Sequence, residues 1–140
     1  MKNINLGRVL IGGLLAGLIL NVGEFLLNDV ILGTQMREFF ARYRITDPGA
    51  SFMIIAVTLT FLMGIVLVFV YALIRSRLGP GPKTAVVAGL IMWFGIYAYT
   101  GAINGYLFGM PLNVMLIAFV WGLIEYVSAA IAGAWAYKEA

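Results

Sequence analysis

The sequence predicts an all-α integral membrane protein: a four-helix bundle with a short amphipathic interfacial helix in its first loop. Of the 140 residues, 63% are hydrophobic and only 11% are charged, whereas soluble domains carry about 25% charged residues. The apolar residues also form four runs, and a helix needs about 20 such residues to cross a bilayer. We therefore expect one membrane domain that covers residues 1–140.

Each of the four runs carries few charges, and turn residues separate them. The predicted spans are residues 6–32, 50–74, 84–108 and 112–137. Gly109 and Pro111 mark a tight turn before the last span, and a charged segment rich in Gly and Pro follows the second span. Because lipid offers no partner for backbone N–H and C=O groups, the spans are expected to be helices packed on one another.

Lys and Arg residues predict the orientation. If four helices alternate in direction, six of these residues lie on the side of the termini: Lys2, Arg8, Arg75, Arg77, Lys83 and Lys138. The other side carries Arg37, Arg42 and Arg44. Since cytoplasmic loops are richer in Lys and Arg, we expect a multi-pass protein of the bacterial inner membrane with both termini in the cytoplasm. A dual topology stays open. The net charge of +3 is small and lies in the loops, so no nucleic-acid partner is expected.

The first loop contains a predicted amphipathic helix at about residues 35–44. Its apolar side chains follow helical spacing at i, i+3, i+4 and i+7: Met36, Phe39, Phe40 and Tyr43. Charged residues occupy the opposite side, and Thr34 is the expected N-cap. A helix of this kind lies in the headgroup plane. A lid over an outward-facing opening and a docking surface for a partner stay open as alternatives.

A stripe of small and polar residues runs along the first span. Its members are spaced 4, 4, 3 and 4 residues apart and therefore share one helix face: Gly13, Gly17, Asn21, Glu24 and Asn28. The glycines allow another backbone to approach closely. The polar residues make the other half of the stripe unsuited to lipid, and we expect it to point into the bundle.

The other spans repeat this arrangement. The fourth carries Ala118, Gly122 and Glu125 on one face, again with small residues suited to close packing. The third contributes Thr100 and Asn104. Together with the polar residues of the first span, these side chains predict a polar path that enters the bundle from the outer face and ends at Glu125.

The two intramembrane carboxyl groups are the strongest candidates for a site. An ionisable group within a membrane is costly and is by default a functional candidate. Glu24 and Glu125 together suit proton exchange or cation binding. The alternative is structural, because such groups also hydrogen-bond between helices. That alternative is favoured for Asn28 and Asn104, which lie near the membrane boundary, where polar residues cost little.

Four aromatic residues lie close to the predicted polar path. They are candidates for the wall of an apolar pocket: Trp93, Tyr97, Trp121 and Tyr126. Packing within the core is the more common use of such rings, because an aromatic side chain buries a large area without any ligand.

The segment "GGLLAGLILNVGEFLLN" of the first span resembles that of small, mostly uncharacterised four-helix membrane proteins of bacteria. This resemblance covers one helix and implies the topology described above. The chain is also similar in plan to small multidrug-resistance exporters, which have four helices and a carboxylate in the first. It departs from them in its long amphipathic first loop, its second carboxylate at Glu125 and its greater length, so their mechanism is not carried over.

Three function classes follow. The favoured one is an accessory or interaction subunit of a membrane assembly that holds a buried carboxylate site. The alternative is an oligomeric proton- or cation-coupled transporter or channel that uses Glu24 and Glu125. An enzyme is not expected, because the chain has no His or Cys and its serines lack a convincing base. No cofactor or metal is expected either.

The small bundle also predicts partners besides the lipid bilayer. Four helices leave little interior for a solute path once their core is packed. We therefore expect a homo-oligomer or a complex with other membrane proteins. The uniformly apolar second span is predicted to face lipid or another subunit.

Overall fold

The structure is a computed structural model that describes residues 4–46 and 49–138. Its helices are α1 (Leu6–Ile31), α2 (Gly33–Arg42), α3 (Ala50–Leu78), α4 (Pro82–Leu107) and α5 (Leu112–Ala136). These two ranges contain no strand. All but α2 are long and apolar enough to cross a membrane. The predicted all-helical class with four helices of spanning length is confirmed. Lys2, used in the orientation prediction, lies outside the described residues.

The α3–α4 turn is shorter than the sequence pattern suggested. α3 continues past residue 74 to Leu78 and takes Arg75 and Arg77 into its last turn. Cations near a helix C-terminus interact favourably with its carbonyl groups, which accounts for the longer helix. The turn is reduced to residues 79–81, and α4 begins at Pro82, since proline suits the first position of a helix.

The helices alternate in direction and pack in a fixed order. α1 lies between α3 and α5, and α5 lies between α1 and α4. We call the end of the bundle with the starts of α1 and α4 the termini end. The opposite end, with α2 and the α4–α5 turn, is the α2 end. In that turn Gly109 has φ +61°, a left-handed conformation that glycine adopts without steric cost.

Glycines bring α1 very close to its two neighbours on the termini side. A Cβ atom built on Gly64 of α3 would overlap the backbone of Gly13 and Gly17. On the opposite face of α1, a Cβ on Gly12 would meet the carbonyl oxygen of Gly133 in α5. Small residues permit this approach, and the resulting van der Waals contacts hold membrane helices together.

The main core lies in the termini half and includes side chains of α3. The prediction that the second span faces lipid or another subunit therefore needs correction in this half. Leu67 and Val68 of α3 are fully buried and pack with Leu20 of α1. One face of this half of α3 packs inside the bundle, because Gly64 draws it against α1, whereas Val66, Phe69 and Leu73 on its other face are exposed. The half of α3 before Gly64 differs: its large apolar side chains from Phe52 to Leu62 are mostly exposed, as expected for a lipid-facing or partner-facing helix.

The amphipathic helix is present but starts earlier than predicted. α2 begins at Gly33, and only Leu32 separates it from α1. Thr34 is therefore not the N-cap; the cap position is Leu32, which makes no side-chain hydrogen bond. The Thr34 hydroxyl instead accepts a hydrogen bond from the Arg37 guanidinium at 3.3 Å.

α2 packs over the α2 end of the bundle. The Tyr43 hydroxyl donates to the Phe108 carbonyl oxygen at 2.6 Å. The rings of Phe39 and Tyr43 lie edge-on to the ring of Phe108, with centroids 6.0 and 5.6 Å apart. Met36 packs on buried Leu32. These contacts join the first loop to the α4–α5 turn. The position of α2 at a membrane interface stays a prediction.

Candidate functional site

Two of the spanning helices contain π-helical segments, and the polar site lies beside them. α1 is π-helical over Leu26–Ile31 and α4 over Phe94–Gly101. The Leu32 N–H, for example, bonds the Leu27 carbonyl, five residues back. A π turn disturbs the regular i+4 ladder and is frequent at functional sites. Side-chain donors bond carbonyl oxygens beside both segments: Asn28 bonds that of Glu24, and Thr100 bonds that of Gly95.

Glu24 is held by hydrogen bonds to both carboxyl oxygens. The Tyr97 hydroxyl of α4 donates to Oε1 at 2.6 Å. The Asn28 amide, one turn along α1, donates to Oε2 at 2.9 Å. Glu24 is half-buried. The Glu24 carboxyl group is therefore held from two positions, one on α4 and one on α1 itself.

Glu125 lies in a very different environment. It is 5% exposed, and neither of its carboxyl oxygens has a hydrogen-bond partner. The carboxyl group packs against Gly23 of α1, where an added Cβ would stand 2.5 Å from the carboxyl carbon. A side chain at position 23 would therefore displace it. Burial without partners makes the charged form of a carboxyl group costly.

The two carboxyl groups form one site. Gly23, which contacts Glu125, is the neighbour of Glu24 in the chain, and the two carboxyl groups are close enough to interact electrostatically. Tyr97 joins them: its hydroxyl bonds Glu24, and its ring packs on Gly122, one turn before Glu125. We call Glu24, Glu125 and Tyr97 the carboxyl site.

Two apolar clusters enclose the carboxyl site from opposite ends. On the α2 side lie the buried residues Leu27, Leu32 and Val114, with Met36, Ala118 and Trp121 against them. On the termini side lies the larger core that contains Leu20 and Tyr126. Glu24 is seven residues from the end of α1, about 10 Å, and eighteen residues from its start, about 27 Å. Glu24 is therefore much nearer the α2 end, whereas Glu125 lies near the middle of α5.

Not all predicted polar residues reach the carboxyl site. Asn21 bonds the Gly17 carbonyl at 2.8 Å and approaches the Val57 carbonyl at 3.5 Å, which links α1 to α3. Thr100 and Asn104 are exposed and bond carbonyls of their own helix. The expectation that their stripe points into the bundle is wrong, because the π segment of α4, which contains Thr100 and precedes Asn104, changes the helical period.

The predicted aromatic residues contact one another and the backbone of neighbouring helices. The Trp93 indole donates to the Phe119 carbonyl at 2.9 Å, and the Trp121 indole donates to the Gly23 carbonyl at 3.1 Å. The rings of Tyr97 and Tyr126 are 6.0 Å apart and nearly perpendicular. These contacts tie α5 to α1 and α4 beside the carboxyl site.

Gly23 is the contact residue that sequence reasoning missed. It follows the stripe glycines at a different spacing, so the period did not single it out. Its position next to Glu24 was the available signal, because a glycine beside an intramembrane carboxyl group leaves room for a side chain from another helix.

The carboxyl site offers few ligand atoms. Within the two described ranges, no group of three or more Asp, Glu, His or Cys side chains comes together. The donors near the site, Tyr97 and Asn28, are both directed to Glu24. The site thus places Glu24, a carboxyl group with two hydrogen-bond partners, beside Glu125, a buried carboxyl group with none. A pair of this kind is suited to binding a proton or a small cation.

Comparison with protein-family models, with curated proteins and with solved structures finds no match for this chain. The carboxyl site itself is therefore the basis on which a function can be inferred.

Proposed function

We propose that this chain is a subunit of a bacterial inner-membrane assembly and that its carboxyl site reversibly binds a proton or a metal cation for that assembly. The observation that carries this proposal is Glu125, a buried carboxyl group without a hydrogen-bond partner. A carboxyl group kept for helix association would be expected to bond across the interface. Since Glu125 makes no such bond, its cost is better explained by ion binding.

The packing of the chain supports an assembly. Glycine contacts bring α1 against α3 and α5 at backbone distance, which leaves little room for a solute between them. Two clefts, of about 550 Å³ beside Tyr106 and about 120 Å³ beside α2, lie at the surface, and neither is lined by Glu24 or Glu125. A route for anything larger than a small ion would have to run between chains.

A homo-oligomeric transporter is the second candidate. The half of α3 from Phe52 to Leu62 exposes apolar side chains and offers a surface on which a second copy can pack. Purification from bacterial membranes in a mild detergent separates the two candidates. Unlike proteins that purify with the chain support the subunit, and a complex of this chain alone supports the transporter. A monomer that transports ions would contradict both.

The ion-binding part is tested by reconstituting the purified assembly into liposomes that contain a pH-sensitive dye. We expect an imposed proton or salt gradient to drive ion movement in the wild type and not in Glu125→Gln. Glu38→Gln, which changes an exposed carboxyl group of α2, is the matched control. Full ion movement in a Glu24→Gln/Glu125→Gln double variant would overturn the proposal.

The proposed orientation has a separate test. Reporters fused at either terminus should report the cytoplasm, and a reporter inserted after Arg44 should report the periplasm, because Lys and Arg are more frequent on the side of the termini. Equal populations of both orientations would instead establish a dual topology.

A further inference from the structure

We infer that the ion held by Glu125 is a proton, which Glu24 exchanges with the aqueous phase at the α2 end. This inference rests on the proposed function, because it names the ion and the route for the same carboxyl site. The observations behind it are the contrast between the two carboxyl groups and the position of the site along α1.

The surroundings of Glu125 favour a proton over a metal cation. Hard metal cations take several oxygen ligands, six to eight for calcium, at about 2.3–2.6 Å. The Glu125 carboxyl group instead packs on the Cα side of Gly23, and neither of its oxygens contacts a polar group. A proton needs a single carboxyl oxygen and no further ligand. The bound proton also removes the charge that burial disfavours.

Glu24 has the properties of the exchange partner. It is half-buried, and its two hydrogen bonds fix the position of both of its carboxyl oxygens. In one transfer, a proton that has bound a Glu24 oxygen leaves it and binds a Glu125 oxygen. Glu24 returns to the carboxylate, and Tyr97 keeps its own proton throughout because its hydroxyl only donates to Glu24.

The titratable groups that face Glu125 are few. α1 contributes Glu24, α4 contributes Tyr97, and α5 itself contributes Tyr126. α3 has no charged residue before Arg75. The protonation of Glu125 is therefore coupled chiefly to that of Glu24, because a negative charge on one of two neighbouring carboxyl groups favours a proton on the other.

Access is from the α2 end. The small cluster of Leu27, Leu32 and Val114 lies between Glu24 and that end, over about 10 Å of helix. The other direction is blocked by the main core and by the glycine contacts of α1. α2 covers the short side, and Met36 packs on its apolar cluster.

The test is infrared spectroscopy of the full chain in lipid nanodiscs. The carbonyl stretch of a protonated carboxyl group is separate from carboxylate bands and shifts when deuterium replaces the proton. We expect this band at neutral pH in the wild type, in Glu24→Gln and in Glu38→Gln, and its loss in Glu125→Gln. After transfer to D₂O, the shift should be about tenfold slower in Glu24→Gln, equivalent to about 1.4 kcal/mol of barrier, and unchanged in Glu38→Gln.

A second variant pair protects the test against misfolding of Glu125→Gln. Gly23→Ala places a methyl group against the Glu125 carboxyl group and should change the frequency of its band, whereas Gly95→Ala adds a methyl group that meets no atom within 4 Å and should not. Equal spectra for the two variants would show that the band arises elsewhere and would overturn the inference.

Two further outcomes separate the inference from the proposed function. If sodium or potassium chloride removes the protonated band at constant pH, the bound ion is a metal cation and the inference is wrong, while the proposed function stands. If deuterium exchange is equally fast in Glu24→Gln, the route through Glu24 is wrong, while proton binding at Glu125 stands. If the Glu125 carboxyl group shows no spectral change between acidic and alkaline buffer at any salt concentration, the proposed function fails as well.

Discussion

The termini half and the α2 half of this bundle differ in how closely their helices pack and in how regular their backbone is. In the termini half, glycines at positions 12, 13, 17 and 64 bring backbones into contact, and Ala16, Leu20, Leu67 and Val68 near them are fully buried. In the α2 half, α3 is exposed, two helices contain π segments, and polar side chains bond backbone carbonyls. The termini half resembles a closed core, whereas the α2 half has the irregular helical backbone that is frequent at functional sites.

This difference indicates what each half contributes. Dense packing resists movement and excludes water, since protein interiors are packed as tightly as organic crystals. The α2 half has fewer buried residues and is therefore the half that can open locally. The carboxyl site lies at the boundary, where Glu125 contacts α1 and Glu24 is half-buried. The carboxyl site therefore has a rigid wall on the termini side and an adjustable wall on the α2 side.

Gly64→Ala should have the largest effect, because it breaks the rigid half. The added Cβ would overlap the backbone of Gly13 and Gly17, so α1 and α3 must separate. We expect a loss of about 3 kcal/mol in the free energy of unfolding, measured by denaturation in mixed micelles. Gly95→Ala, whose methyl group meets open space, is the control. Equal stability of the two variants would show that the glycine contact does not hold the bundle together.

Glu24→Leu should have the next largest effect, because it removes the bonds that join the two walls. Tyr97 and Asn28 would each lose an acceptor, and contacts of this kind contribute about 0.6–2 kcal/mol in membrane proteins. Thermal unfolding in detergent should therefore show a clear decrease in midpoint. Glu24→Gln keeps an oxygen acceptor for Tyr97 and should lose less. If the two variants melt together, the hydrogen bonds do not stabilise the fold.

Tyr43→Phe should loosen the adjustable half with little effect on the whole. It removes the bond to the Phe108 carbonyl, which corresponds to about 0.5–1.5 kcal/mol. We expect faster hydrogen exchange in α2 and unchanged exchange in α5. Tyr106→Phe, a change at a residue that is 88% exposed, is the matched control. Protection of α2 that survives in Tyr43→Phe would contradict the role of this bond.

Glu125→Gln should have the smallest effect on stability. The carboxyl group makes no hydrogen bond that the variant could lose, and the amide has nearly the same shape. The thermal midpoint should stay close to that of the wild type, while ion movement is lost. A large decrease in the midpoint would reveal a structural role for Glu125 and would argue against ion binding.

The helical spans could be predicted because long apolar runs require helices in lipid. The stripe on α1 was informative for the same physical reason: α1 is regular through Phe25, so spacing predicts its face as far as Glu24. The prediction failed for Thr100 and Asn104 because Thr100 lies within a π segment and Asn104 follows it. The wider turn of a π segment rotates the residues that follow it, and no pattern in this sequence predicts the segment.

Other features depend on contacts that a single sequence does not contain. The burial of Leu67 and Val68 follows from the approach of Gly64 to α1, and an apolar helix carries no signal that tells a lipid-facing side from a protein-facing side. The contact of Gly23 with Glu125 was missed for a similar reason. The chain has 17 glycines, and sequence alone does not show which of them faces a carboxyl group.

The bond between Asn28 and Glu24 has a consequence for the biogenesis of the protein. α1 is synthesised first, and the second partner of Glu24, Tyr97, follows 73 residues later. Asn28 lies on α1 itself and supplies a partner while the helix is entering the bilayer, when an unpaired carboxyl group would be costly. Glu125 enters with the last helix. A nascent chain that stops before α5 thus carries one carboxyl group with its own partner and a Gly23 that nothing from α5 yet covers.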